Sequence, residues 1–124
     1  MAALSTTRTA IKDALDAAGL RAYDYAPSSL NTPCVIVGFP TRYNPNDTMS
    51  DTNSYTIPVT LYVSYAANGP AEDALEDMIP TVIDAVEDIS GAYSVAVVRD
   101  FGVLENGNAQ PIALGCVVDV DVLA

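Results

Sequence analysis

The residues of this chain best placed to do chemistry are its paired carboxylates. Asp119 and Asp121 stand two apart in a run of valines, so in an extended strand both point to one face. There they could share a metal ion or a proton. Alternation alone also explains them, as the solvent side of the last strand. Asp47 and Asp51 form a looser pair in a Pro- and Asn-rich stretch. They lack the spacing and closing Glu of a calcium loop. Glu72, Asp73, Glu76 and Asp77 make an acidic face that reads most simply as a solvated helix side.

The chain contains no histidine, which removes the commonest general base and metal ligand. Its one lysine, Lys12, falls on the polar side of a helical pattern. Cys34 and Cys116 have no imidazole to activate them. Both sit in apolar strand-like runs, so buried reduced thiols are expected rather than a disulfide. The seven glycines are dispersed and cradle no phosphate. The expectation is a chain that is no enzyme and that holds no metal or cofactor. An Asp-based hydrolase is the enzymatic alternative.

Charge points the same way. Sixteen Asp and Glu oppose five Lys and Arg, for a formal net charge of −11. The basic residues Arg8, Lys12, Arg21, Arg42 and Arg99 are scattered. Electrostatic binding of nucleic acid needs clustered cations, so direct DNA or RNA binding is not expected. The first residues carry no basic and apolar leader pattern, and the apolar runs are too short to span a bilayer. A cytoplasmic site of synthesis and no membrane follow as expectations. Half of the residues are hydrophobic, which suits one folded domain over 1–124.

The elements that must position these residues can be read from periodicity. Leu4, Ile11, Leu15 and Ala18 recur at helical spacing, which predicts a helix over 5–18 stopped by Gly19. Short strands are expected at 20–25 and 33–39. The stretch 40–53 reads as a long irregular loop with Arg42, Tyr43 and Met49 interspersed among polar residues. Loops of that length are often functional. Residues 55–65 alternate cleanly, and Pro58 within them suggests an edge or a bulge. Pro70 opens a second helix whose apolar stripe is Ala71, Leu75, Met78, Ile79, Val82, Val86 and Ile89. Pro80 in its interior suggests a kink or two abutting helices. Strands are expected at 93–100 and 112–123, with Asn106-Gly107 as a turn between them. The predicted class is α+β, a largely antiparallel sheet with two helices packed on one face.

What remains for function is surface. Seven tyrosines and no tryptophan occur, and Tyr43, Tyr55, Tyr62 and Tyr65 fall in or near the long loop and the central strand. Tyrosine suits interfaces because it joins apolar area to a polar tip.

The chain resembles the tail-terminator proteins of long-tailed, siphovirus-type bacteriophages, particularly those infecting actinobacteria. The likeness is carried by Leu4-Ser5-Thr6-Thr7-Arg8 leading into a short helix, then Gly19-Leu20-Arg21-Ala22-Tyr23-Asp24. Pro27, Leu30-Asn31 and Pro33 follow, then the strand 56–64, then Leu114-Gly115-Cys116-Val117-Val118 running into alternating valines. Order and spacing over nearly the whole chain carry it, not a chemical signature.

The resemblance implies a structural virion protein, assembled in the host cytoplasm, whose copies form a ring, usually a hexamer. Such a ring caps the head-proximal end of the tail tube, stops tube polymerisation and joins the tail to the head connector. The implied partners are other copies, the tail tube protein and the head–tail connector protein. DNA passes through the lumen without specific binding. Some of the acidic positions are expected to line the pore, and Glu72, Asp73, Glu76 and Asp77 form the expected acidic face. The loop 40–53, with Arg42, Tyr43, Asp47, Met49 and Asp51, is expected to order at an inter-subunit or partner contact. The alternatives are another head–tail joining protein, a stopper or tail-completion protein, and a non-viral cytoplasmic binding module.

Overall fold

The N-terminal periodicity folds as helix α1, Ala3–Ala17. Ile11 and Leu15 are fully buried, while Lys12 and Asp13 lie toward solvent. Gly19 ends the helix at φ +89°, a left-handed backbone that side chains with a Cβ resist. The Leu20 N–H donates to the Leu15 carbonyl at 3.1 Å and the Gly19 N–H to Asp16 at 3.0 Å. These two bonds satisfy carbonyls that the helix end would leave bare.

The structure is a computed structural model that describes residues 3–24, 33–44, 54–65, 68–89, 93–105, 107–108 and 111–123. After α1 come strands β1 (Ala22–Tyr23), β2 (Cys34–Val37), β3 (Arg42–Asn44) and β4 (Ser54–Ser64). Helix α2 (Asn68–Glu87) and strands β5 (Tyr93–Glu105) and β6 (Pro111–Leu123) complete the order. The sheet runs β1-β2-β4-β6-β5, with β3 also paired to β4. Among the described residues, only β1 against β2 is parallel. The fold is therefore α+β, as the sequence pattern predicts.

Alternation decides which face is covered. Tyr55, Ile57, Val59, Leu61 and Val63 of β4 are buried, as are Cys116, Val118, Val120 and Val122 of β6. They pack with Ile11 and Leu15 of α1 and with Ala71, Leu75, Met78, Val82 and Val86 of α2 in one core. Both helices thus lie on the same face of the sheet. Each such Val or Leu contributes about 1.5–3 kcal/mol of burial.

Four sequence expectations need correction. The stretch 40–53 is not irregular throughout, because Arg42–Asn44 form β3 in register with Thr56, Tyr55 and Ser54. Three residues between prolines carry too little pattern to announce a strand, and β4 supplies the template. Pro80 does not split α2, which is continuous over twenty residues. The proline sits on the exposed side, where a lost hydrogen bond costs least. Strand β5 continues past Asp100 to Glu105, because the register shifts between Arg99 and Gly102 instead of ending. Pro58 lies in a central strand, not at an edge.

Pro58 does sit beside an irregularity. Its carbonyl accepts from the Gly38 N–H at 2.8 Å, so the position of its missing N–H faces the gap between β2 and β3. Four residues, 38–41, span that gap opposite Ile57 and Pro58.

Candidate interaction site

The uncovered face of the sheet holds the carboxylates that looked most capable of chemistry. Asp119 lies on that face as expected, yet it is only 8% exposed. Arg99, across on β5, covers it with a two-pronged contact, Nε to Oδ2 at 2.7 Å and Nη2 to Oδ1 at 3.1 Å. That hydrogen bond holds the Arg99 guanidinium above its ordinary pKa. Arg99 also pairs with Asp100, whose backbone is left-handed at φ 57° where β5 shifts register. Asp121 instead accepts from the Thr56 hydroxyl at 2.8 Å. Each carboxylate has its own partner, so the two neither share a proton nor converge on a cation. Among the described residues, no group of three or more His, Cys, Asp or Glu could hold a metal ion.

The cysteines are likewise inert. Cys116 pairs with Leu61 and joins the core, whereas Cys34 pairs with Tyr62 on the opposite face. Their side chains point apart, which excludes a bond between them. Burial pushes the Cys34 thiol up and the Cys116 thiol up to about 11, so both stay protonated at neutral pH.

The surface that remains unexplained is apolar. The chain has two phenylalanines, and neither enters the core. Phe39 is 70% exposed and Phe101 60% exposed. Val97, Val103 and Leu104 of β5 and Ile112 of β6 are exposed as well. These residues follow the β5–β6 hairpin, whose tip runs beyond the Ser64–Ala113 pair at the end of β4. Large apolar side chains left exposed in such number on one hairpin are candidates for contact with a partner.

A groove of about 540 Å³ lies where the hairpin meets α2. It is lined by Glu72, Leu75, Glu76, Ile79, Phe101, Gly102 and Leu114. Leu75, Ile79, Phe101 and Leu114 form an apolar floor, and Glu72 and Glu76 stand on the rim.

Phe39 lies on the other flank of β4 and β6, in the gap between β2 and β3. Its loop is tightly held. Arg8 of α1 donates from Nε to the Gly38 carbonyl at 3.0 Å, and from Nη2 to Asp24 at 2.5 Å and Val37 at 3.2 Å. The guanidinium lies 5.6 Å from the Phe39 ring centre, a cation–π distance. A Cβ on Gly38 would stand 3.0 Å from both the Pro58 ring and its carbonyl, so any larger residue here would have to push Pro58 aside by a few tenths of an ångström.

The structure places Glu72, Asp73, Glu76 and Asp77 on the exposed side of α2. Of these, only Glu72 and Glu76 join the groove. Arg42 and Tyr43 lie in β3, while Asp47, Met49 and Asp51 fall outside the described residues. Sequence reasoning missed Phe39, Phe101 and Ile112. The available signal was that both phenylalanines adjoin turn or bulge residues, Gly38-Phe39-Pro40 and Asp100-Phe101-Gly102, instead of lying in an apolar stripe.

Neither protein-family models nor curated protein sequences match the chain. No helix among the described residues is long and apolar enough to cross a membrane.

Proposed function

We propose that this chain is a non-enzymatic structural subunit of the tail-terminator kind. Copies assemble into a ring, expected to be hexameric, that caps the head-proximal end of a siphovirus-type tail tube. The ring stops tube growth and joins the tail to the head connector, and its place is the virion. The observation that carries the reading is the exposure of both phenylalanines, one on each flank of the central strands β4 and β6. Head-to-tail contacts around a ring are heterologous and need two different patches on each subunit. The sequence resemblance supplies the tail context.

The acidity suits a lumen through which DNA slides, since phosphates meet no counter-charge there. A basic wall on the assembled ring would reject that role for the acidic positions. The whole reading is tested by adding the purified protein to growing tail tubes and imaging them by electron microscopy. Rings at one tube end and arrested elongation are expected. Unchanged tube growth with no ring overturns the reading, and binding to the portal side instead identifies a stopper.

A further inference from the structure

The charge of the chain is divided along its length and, through the topology, across the molecule. Residues 1–44 hold Arg8, Lys12, Arg21 and Arg42 against Asp13, Asp16 and Asp24, a net charge of +1, and residues 45–53 add Asp47 and Asp51. Residues 54–124 hold Arg99 against eleven Asp and Glu, a net charge of −10. The first group builds α1, β1, β2 and β3, and the second builds β4, α2, β5 and β6. In the sheet order, β1 and β2 lie to one side of β4 and β6 and β5 to the other. The molecule therefore has a nearly neutral side that holds four of the five cations and bears Phe39, and a strongly acidic side that bears the groove.

We infer that one copy inserts Phe39 into the α2–β5 groove of a neighbouring copy, the cation-bearing side of the first facing the acidic rim of the second. This rests on the self-assembly proposed above and names its contact. Phe39 has the form of an anchor, with a large apolar side chain on a rigid base. The Gly38 N–H is fixed to Pro58 at 2.8 Å, the Thr41 N–H to Thr56 at 2.9 Å, and the Gly38 carbonyl to Arg8. A preordered anchor loses little entropy on docking.

The groove has the matching form. Its floor is Leu75, Ile79, Phe101 and Leu114, and its volume of about 540 Å³ exceeds what one aromatic side chain needs. Its rim offers the carboxylates of Glu72 and Glu76. A copy approaching by its acidic side would be repelled there, so charge selects the Phe39 side. Each copy then uses one knob and one groove, which is the geometry of a head-to-tail chain or ring.

The test is light scattering over a concentration series at low salt. Phe39→Ser removes the knob but keeps the groove. The double change Glu72→Arg with Glu76→Arg spoils the groove but keeps the knob. All three positions are exposed, and far-UV circular dichroism checks that each variant is folded. Each variant alone is expected to associate at least about tenfold more weakly than the wild type, the scale of a hot-spot loss. Mixed together, they are expected to form a one-to-one pair that grows no further. Added salt is expected to weaken the wild-type contact.

Wild-type-like association of either variant overturns the inference and leaves the ring reading standing, as does a mixture that forms no pair from folded variants. A wild type that stays monomeric at every concentration also overturns the inference. Pairing as expected, with no ring on tail tubes, upholds the contact and overturns the ring reading.

Discussion

Arg8 fastens helix to sheet through three backbone carbonyls, those of Gly38, Asp24 and Val37. Truncation would remove a charged donor from all of them at once. Arg8→Ala is expected to lower the unfolding free energy by about 2 kcal/mol, the scale for hydrogen bonds to charged groups, as read from urea denaturation. Arg8→Lys is expected to recover only part of this, because an ammonium cannot reproduce the planar fork. Asp16 offers a second test at this scale. Its hydrogen bond from Lys12 at 2.8 Å, helped by the Ala22 N–H, holds its carboxyl below the ordinary 3.8. A depressed carboxylate pKa stabilises the fold above the unfolded value and loses that contribution as pH falls through the native one. Asp16→Asn is therefore expected to shift the urea midpoint slightly at neutral pH and not at all well below 3.8. The effect is small because the pair is exposed.

At the scale of elements, strands β4 and β6 press closest at Gly115. A Cβ there would meet the Leu61 carbonyl at 2.5 Å and the Tyr62 ring at 2.7 and 2.9 Å. Backbone cannot yield as a flexible side-chain tip does, so Gly115→Ala is expected to destabilise by about 1–3 kcal/mol, the range for overpacking. Thermal unfolding of the variant measures it. The elements that packing repeats are the ones legible in sequence. The alternation of β4 and β6 and the stripe of α2 each record burial against a helix or sheet face. Strand β3 left no such record, since three residues held by β4 need no periodicity. The second half of β5 was hidden because Phe101, Val103 and Leu104 are exposed, and alternation fails where neither face is covered. The burial of Asp119 was illegible because its cover, Arg99, comes from another strand twenty residues away. The groove was illegible for the same reason. Glu72 and Glu76 announce a polar helix side, but only tertiary packing brings Phe101 and Leu114 beside them.

The whole molecule shields both thiols within one continuous sheet. Cys34 and Cys116 lie on opposite faces of it, and both are buried. Neither can be reached without opening the strands around it. Native-state labelling with a thiol reagent is therefore expected to modify the two at similar rates, and only as fast as the global unfolding equilibrium allows. Mass spectrometry over a denaturant series checks this. Fast labelling of one alone would reveal that its side of the sheet opens independently.

Strand β5 has three register shifts along its thirteen residues, at Val95/Val97, Arg99/Gly102 and Leu104/Glu105. A straight foreign strand cannot zip along such an edge, because its hydrogen-bonding groups fall out of step after a few residues. Stickiness at this edge is therefore uncoupled from fibril growth. Side chains can be displayed for a chosen partner while the backbone beneath them refuses to template an endless stack.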